Sequence, residues 1–289
     1  MILVSAVAIN GKGEVAGTVI MDSASGGPRF RAFKWSEAGG FNFFPGPGTI
    51  SFHGTGLDDD GNVVGFTEGS VREGFIWNEA RGLRPLDIRL PELNFLGIRA
   101  GRVFGNAVIQ GQAVPYRLDI ASDRFEQLQA LSKVGGGVLD VNDLGEGVGY
   151  DGEVNYGFGG TSDAVIWDKA GTRTVVFSCS GEYDCFARLK AINSNGVAVG
   201  SVATDGWPPA AFRWSRSTGV EYLGSRRHCC LTDVADVTDD GSILASNHLG
   251  GGIIFRQSGA VTFIWPPSTH RSVEPRAMNQ QGQVVGMVF

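Results

Sequence analysis

One short pattern recurs seven times along the 289 residues, and this recurrence constrains the fold more than any local feature does. An apolar residue is followed by a polar turn, a Gly four positions on, and a small apolar stretch carrying a second Gly in six of the copies, Ala245 standing there in the other. The copies run from Ile9 to Gly17, Leu57 to Gly65, Gly97 to Gly105, Val141 to Gly149, Ile192 to Gly200, Val237 to Ala245 and Met278 to Gly286. The first glycine is present in every copy, at Gly13, Gly61, Gly101, Gly145, Gly196, Gly241 and Gly282. Successive first glycines lie 48, 40, 44, 51, 45 and 41 residues apart, a spread that fits a repeat with loops of varying length and not a solenoid of fixed rung.

A second pattern follows each of the first six copies: Ala32-Phe33-Lys34-Trp35, Gly74-Phe75-Ile76-Trp77, Pro115-Tyr116-Arg117-Leu118, Ala164-Val165-Ile166-Trp167, Ala211-Phe212-Arg213-Trp214 and Ile253-Ile254-Phe255-Arg256. Aromatic and β-branched residues alternating at period 2 mark strands. A Gly turn then leads to a fourth strand, as in Gly219-Val220-Glu221-Tyr222-Leu223. Each unit thus reads as four short antiparallel strands, too few to bury both faces alone. Stacking such units around an axis buries them.

The predicted fold is an all-β propeller of four-stranded antiparallel blades, with six full repeats and one partial, hence six or seven blades in a complete or incomplete ring. The chain forms one domain, residues 1–289, with units near 3–50, 51–92, 93–134, 135–185, 186–230, 231–270 and a partial 271–289. The small residues of the second strand place it innermost. Gly282 to Phe289 then opens a seventh blade to which residues 3–9 add an outer strand. The in-register Trp35, Trp77, Trp167 and Trp214 are expected to pack between blades.

Composition agrees. Forty-four glycines suit many tight turns, and 42% apolar residues suffice for a core. A net charge of −6 without a Lys/Arg stripe argues against nucleic acid, the only basic run being Arg226-Arg227-His228. No apolar run is long enough for a membrane helix. Met1-Ile2-Leu3-Val4 lacks a preceding basic segment and runs into the first repeat, so it reads as strand and not as an export signal.

The turns joining strands 1–2 and 3–4 are short. The 2–3 loops (22–31, 151–163, 204–209) and the unit-to-unit links (45–49, 87–95, 179–185, 225–230, 266–274) carry the length variation, all at one face. Variable loops on a rigid scaffold are where recognition resides. The candidate ligand-binding residues of this face are therefore Trp207, between Gly206 and Pro208 and outside the strand pattern, with Tyr156, Phe158, Tyr183, Arg226, Arg227 and His228.

Asp58-Asp59-Asp60-Gly61-Asn62 invites a calcium reading, but Gly56 stands where an EF-hand needs an oxygen ligand and Thr67 where it needs Glu, and the segment is one of seven equivalent turns. Asp239-Asp240-Gly241 is read the same way. No metal or cofactor is expected. No nucleophile elbow, zinc-helix or phosphate-loop motif occurs, and His53, His228, His248 and His270 fall in different units, so no catalytic residue is assigned. Cys179 and Cys185 bracket one link, and Cys229 and Cys230 end the next. Two disulfides are the first reading, with Cys179–Cys185 the easiest loop to close; free thiols and a four-thiolate zinc site are the alternatives.

The Ala-x-x-Asn-x-x-Gly-x-Val-x-Gly and Ala-Phe-x-Trp segments resemble the HAF repeat family, probable extracellular repeat proteins of bacteria. The His of that family's motif is replaced here by Arg31, Glu73, Asp163 and Ala210 in the clearest copies. The resemblance implies the architecture and export, and disulfides agree with an extracellular or cell-envelope location. The expected function is non-enzymatic binding of a protein or carbohydrate through the long-loop face. The alternative is a propeller-type hydrolase or lyase with its site near the axis.

Overall fold

In the computed structural model the described residues are 3–21, 29–44, 50–69, 72–90, 93–109, 112–122, 124–131, 135–152, 160–179, 185–204, 207–223, 231–247 and 249–289. They form strands alone. The first unit comprises β1 (Leu3–Ile9), β2 (Val15–Met21), β3 (Arg29–Ser36) and β4 (Gly40–Phe43). The second holds β5 (Ser51–Leu57), β6 (Val63–Glu68), β7 (Arg72–Asn78) and β8 (Gly82–Leu90). The third holds β9 (Leu93–Arg99), β10 (Arg102–Ile109), β11 (Gln112–Asp119) and β12 (Arg124–Gln127).

The fourth unit comprises β13 (Gly136–Val141), β14 (Gly147–Gly152), β15 (Ser162–Trp167) and β16 (Arg173–Phe177). The fifth holds β17 (Cys185–Ile192), β18 (Ala198–Thr204), β19 (Trp207–Ser215) and β20 (Gly219–Tyr222). The sixth holds β21 (Leu231–Val237), β22 (Ile243–Asn247), β23 (Gly252–Phe255) and β24 (Val261–Ile264), and the seventh β25 (Val273–Met278) and β26 (Val284–Val288).

Each unit is an antiparallel meander. Where six separate four-stranded sheets were expected, four stand alone among the described residues; the fourth and fifth units merge into one eight-stranded sheet, and the seventh has two strands. The merger rests on a single parallel bridge pair, Ser162 with Phe186.

The first strand, not the second, is innermost. Each first strand packs on that of the next unit, and β25 packs on β1. Leu3–Ile9 is accordingly the inner strand of the first unit, paired to β2, and not an outer strand of the last. The small residues of the second strand have another cause. Each inner strand carries a β-bulge, as between Ala6 and Ala8 or Leu189 and Ala191. The bulge brings its backbone so close that a Cβ on Gly17 would overlap the Ser5 carbonyl oxygen, and one on Gly200 that of Arg188.

The 1–2 turns share one design. Asn10 N donates to Glu14 O at 3.0 Å, Gly13 N to Asn10 O at 3.1 Å, and Gly13 adopts φ +75°. Asn10 Oδ1 also accepts from Lys12 N and Glu14 N, satisfying turn donors as Asx residues do. The third unit departs. Ile98 pairs with Val103 as Ile9 pairs with Val15, so Ile98, and not Gly97, holds the first position of the repeat. The turn is one residue shorter, and Ala100 is forced to φ 46°, a conformation costing an L-residue ~1–2 kcal/mol.

The core lies between units. Phe44 and Phe52 of the first joint meet Phe75 and Trp77; Trp167 packs with Phe104, Val138 and Val165; Phe212 packs with Val148, Ile166 and Leu189. Burying each such side chain contributes ~2–3 kcal/mol.

Candidate functional site

The inner strands run from the long-connection end of the axis to the short-turn end. At the short-turn end a cavity of about 290 Å³ opens, lined by Asn10, Asp59, Arg99, Asp143, Asp239 and Asn279 among others. Asparagines of the turns tie it together. Asn10 Nδ2 donates to Asp58 O (3.0 Å), Asn142 Nδ2 to Asn193 O (3.0 Å), Asn193 Nδ2 to Thr238 O (2.9 Å), and Asn279 Nδ2 to Asn10 O (3.0 Å). The last bond joins the seventh unit to the first.

The short third turn projects Arg99 into this cavity, with Nε 3.9 Å from Asp143 Oδ1. Burial works against its charge, but Asp140, Asp236, Asp143 and Asp239 outweigh that and hold the guanidinium charged. Asp140 and Asp236 follow the bulges of β13 and β21, and each accepts from the next unit: Asp140 Oδ2 from Ile192 N at 2.9 Å, Asp236 Oδ2 from Met278 N at 2.8 Å. Burial raises both carboxyls, and with the Asp140 charge nearby Asp236 is pushed up to about 6. Farther along, Asp233 Oδ2 accepts from Arg188 Nη2 (2.8 Å) and Lys190 Nζ (2.6 Å).

At the long-connection end, half-buried aromatic rings gather between the first two units. The His53 ring stacks 4.9 Å from Phe66 and lies 4.6 Å from Phe30, and Arg72 sits 4.9 Å over the Phe66 ring. Burial lowers the His53 pKa, opposed by Glu68 at 3.6 Å. The imidazole is therefore largely neutral at pH 7 and serves as a polar-edged aromatic. These rings come from the start of β3, β5 and the end of β6. No sequence motif marks them, because they converge only through strand pairing.

The predicted site residues are placed unevenly. Trp207 is the first residue of β19 and pairs with Thr204, so the segment 204–209 read as loop is partly strand. The 87–95 link is likewise mostly strand, since β8 reaches Leu90 and β9 starts at Leu93. Tyr156, Phe158, Tyr183, Arg226, Arg227, His228, Cys229 and Cys230 lie outside the described residues. Cys179 and Cys185 form a disulfide, both buried at the long-connection end. The Asp58 carboxylate accepts from Asn62 N and Asn62 Nδ2, both at 2.8 Å, which is the turn-capping role. Among the described residues no cluster of His, Cys, Asp and Glu suits a metal.

No protein-family model matches this sequence, and no curated protein matches it. Solved structures do. The β-propeller domain of the trilobed protease from Pyrococcus furiosus superposes with a TM-score of 0.70 over 96% of this chain and 87% of that one, at 10% identity. The fold is a β-propeller. An acylaminoacyl peptidase from Pyrococcus horikoshii gives a TM-score of 0.71 at 9% identity, with the whole of this chain spanning about half (49%) of that one. TolB from Acinetobacter baumannii gives 0.56 at 12% identity, over 86% of this chain and 62% of that one. At such identities the likeness fixes the propeller architecture and leaves activity open.

Proposed function

We propose that this propeller is a binding module, related to the HAF repeat proteins, that recognises a protein or glycan through its long-connection end in an extracellular or cell-envelope setting. The Phe30–His53–Phe66 cluster with Arg72 carries the reading, since half-buried, closely packed rings with a cation over one face are a common platform for sugars and peptide side chains. The disulfide at the same end supports an oxidising location. The ring is a seven-membered one, six four-stranded blades and a last blade of two strands, in keeping with the contact of β25 with both β21 and β1. A net charge of −6 speaks for a partner other than nucleic acid.

The test is a glycan array and a pulldown with the full chain, beside a Phe30→Ala/Phe66→Ala double variant. Retained melting temperature with at least tenfold weaker capture supports the reading. Undiminished capture by the variant refutes this placement. An axial hydrolase or lyase is the second reading, favoured by the raised carboxyls of Asp140 and Asp236 behind Arg99. A hydrolase panel on wild type and Asp236→Asn decides it: activity lost in the variant would replace the binding reading.

A further inference from the structure

Between the third and fourth units, on the short-turn face, a second cavity of about 360 Å³ is lined by Arg102, Arg117, Asp119, Ser122, Arg124, Glu126, Leu144 and Lys169. The four cations come from β10, β11, β12 and the 3–4 turn of the fourth unit, so the sequence scatters what the fold collects. In a chain of net charge −6, four cations against two carboxylates is a local reversal of sign.

The members differ in how they are held. Arg117 is a tie: Nε donates to Glu126 Oε2 (2.9 Å), Nη1 to Gly145 O (3.0 Å) and Nη2 to Lys169 O (2.7 Å). Asp119 is occupied by Ser122, whose N and Oγ donate to it at 2.9 and 2.8 Å. Among the described residues Arg102 hydrogen-bonds only the Asp143 carbonyl, at 3.5 Å, and Arg124 and Lys169 are exposed and make no ion pair, although the Asp119 carboxylate acts across space on Arg102 and the Glu126 carboxylate on both arginines. Arg102 Nη1 and Arg117 Nη1 both point at Gly145, where a Cβ would sit 3.3 and 3.5 Å from them. The two guanidinium groups are thus within about 7 Å of each other, close enough for one anion to meet both. Leu144, 57% exposed, supplies an apolar rim beside the charges.

We propose that this cavity binds a tetrahedral oxyanion, a phosphate or sulfate group carried on a small ligand or a glycan. Arg102, Arg124 and Lys169 are the recognising groups, Arg117 is a positioning residue that fixes the wall, and Leu144 meets the carrier of the anion. Guanidinium groups suit such a ligand because their paired N–H donors match tetrahedral oxyanions. The site lies opposite the face proposed above for the protein or glycan partner and stands or falls independently of it.

The experiment is calorimetric titration of the full chain, in low-salt buffer free of phosphate and sulfate, with inorganic phosphate, pyrophosphate and a sulfated heparin disaccharide. Wild type is expected to bind at least one probe, with affinity falling as salt rises. Preference for pyrophosphate identifies a phosphate ligand, and preference for the disaccharide a sulfated glycan. Arg102→Gln/Arg124→Gln should weaken binding about tenfold or more and Lys169→Gln by less, with unchanged melting temperatures. Wild-type failure to bind all three probes overturns the proposal, as does equal binding by the folded double variant.

Discussion

Two joints of the ring use the same fastening and differ in everything around it. Between the fourth and fifth units, Asp140 accepts from Ile192 N, Asn142 Nδ2 reaches Asn193 O, and Ser162 Oγ reaches Ala187 O. A large buried cluster including Val148, Ile166, Leu189 and Phe212 fills the space, and the sheets merge. Between the sixth and seventh units Asp236 accepts from Met278 N in the same way, but the buried cluster is Leu244, Ile254 and Met278. Thr238 stands where Asn142 does and supplies no amide donor. The polar fastening therefore sets the register of a joint, and the third and fourth strands supply most of its cohesion.

Large-to-small substitutions separate the joints most. Phe212→Ala should cost ~3–5 kcal/mol in urea unfolding, and Met278→Ala ~2–3 kcal/mol, because the two-stranded unit leaves its site able to relax. Equal costs would mean that strand number does not govern cohesion. Replacing Cys179 and Cys185 by Ser should cost about 2 kcal/mol for so short a loop, and should weaken the fourth-to-fifth joint while leaving the amide exchange of β25 and β26 as it was.

Protonation probes the other joint. The Asp236 carboxyl is raised to about 6 in the folded chain against an ordinary 3.8, so the native state holds its proton more tightly between those values. Its contribution is greatest below pH 4 and is lost as pH rises through 6. Wild type should therefore lose about 1–2 kcal/mol relative to Asp236→Asn between pH 4 and 7, measured by denaturant unfolding across that range. A flat difference would mean that Asp236 stays ionised. The smallest effect is a gain: Thr238→Asn, which restores the absent amide donor opposite the Asn279 turn, should add ~0.5–1 kcal/mol and slow exchange in β25.

The repeat was legible because every turn places a positive-φ glycine, and five of the seven an Asx residue at fixed spacing before it, and both leave letters in the sequence. The four strands per unit and the Cys179–Cys185 bridge were legible for similar reasons. The radial order of the strands was not. Gly17 and Gly200 are small because a bulged neighbour crowds them, a cause that looks from the sequence like crowding at an axis. Arg99 escaped notice because one deleted turn residue shifts the register of the third copy while preserving its glycines. The groove of Arg102, Arg117, Arg124 and Lys169 and the rings of Phe30, His53 and Phe66 are assembled from separate strands, so no local window contains them.

The turn asparagines have a further consequence. Each donates onward to the following turn, and Asn279 hands the bond to Asn10, so four of the seven joints carry the same bond in the same direction, the one between the last unit and the first included. A circularly permuted chain, opened in the 45–49 link and joined from Phe289 to Leu3 by a flexible linker, would keep every one of those bonds. What these bonds impose at this end is a common direction between neighbouring turns, indifferent to which of them the ribosome makes first.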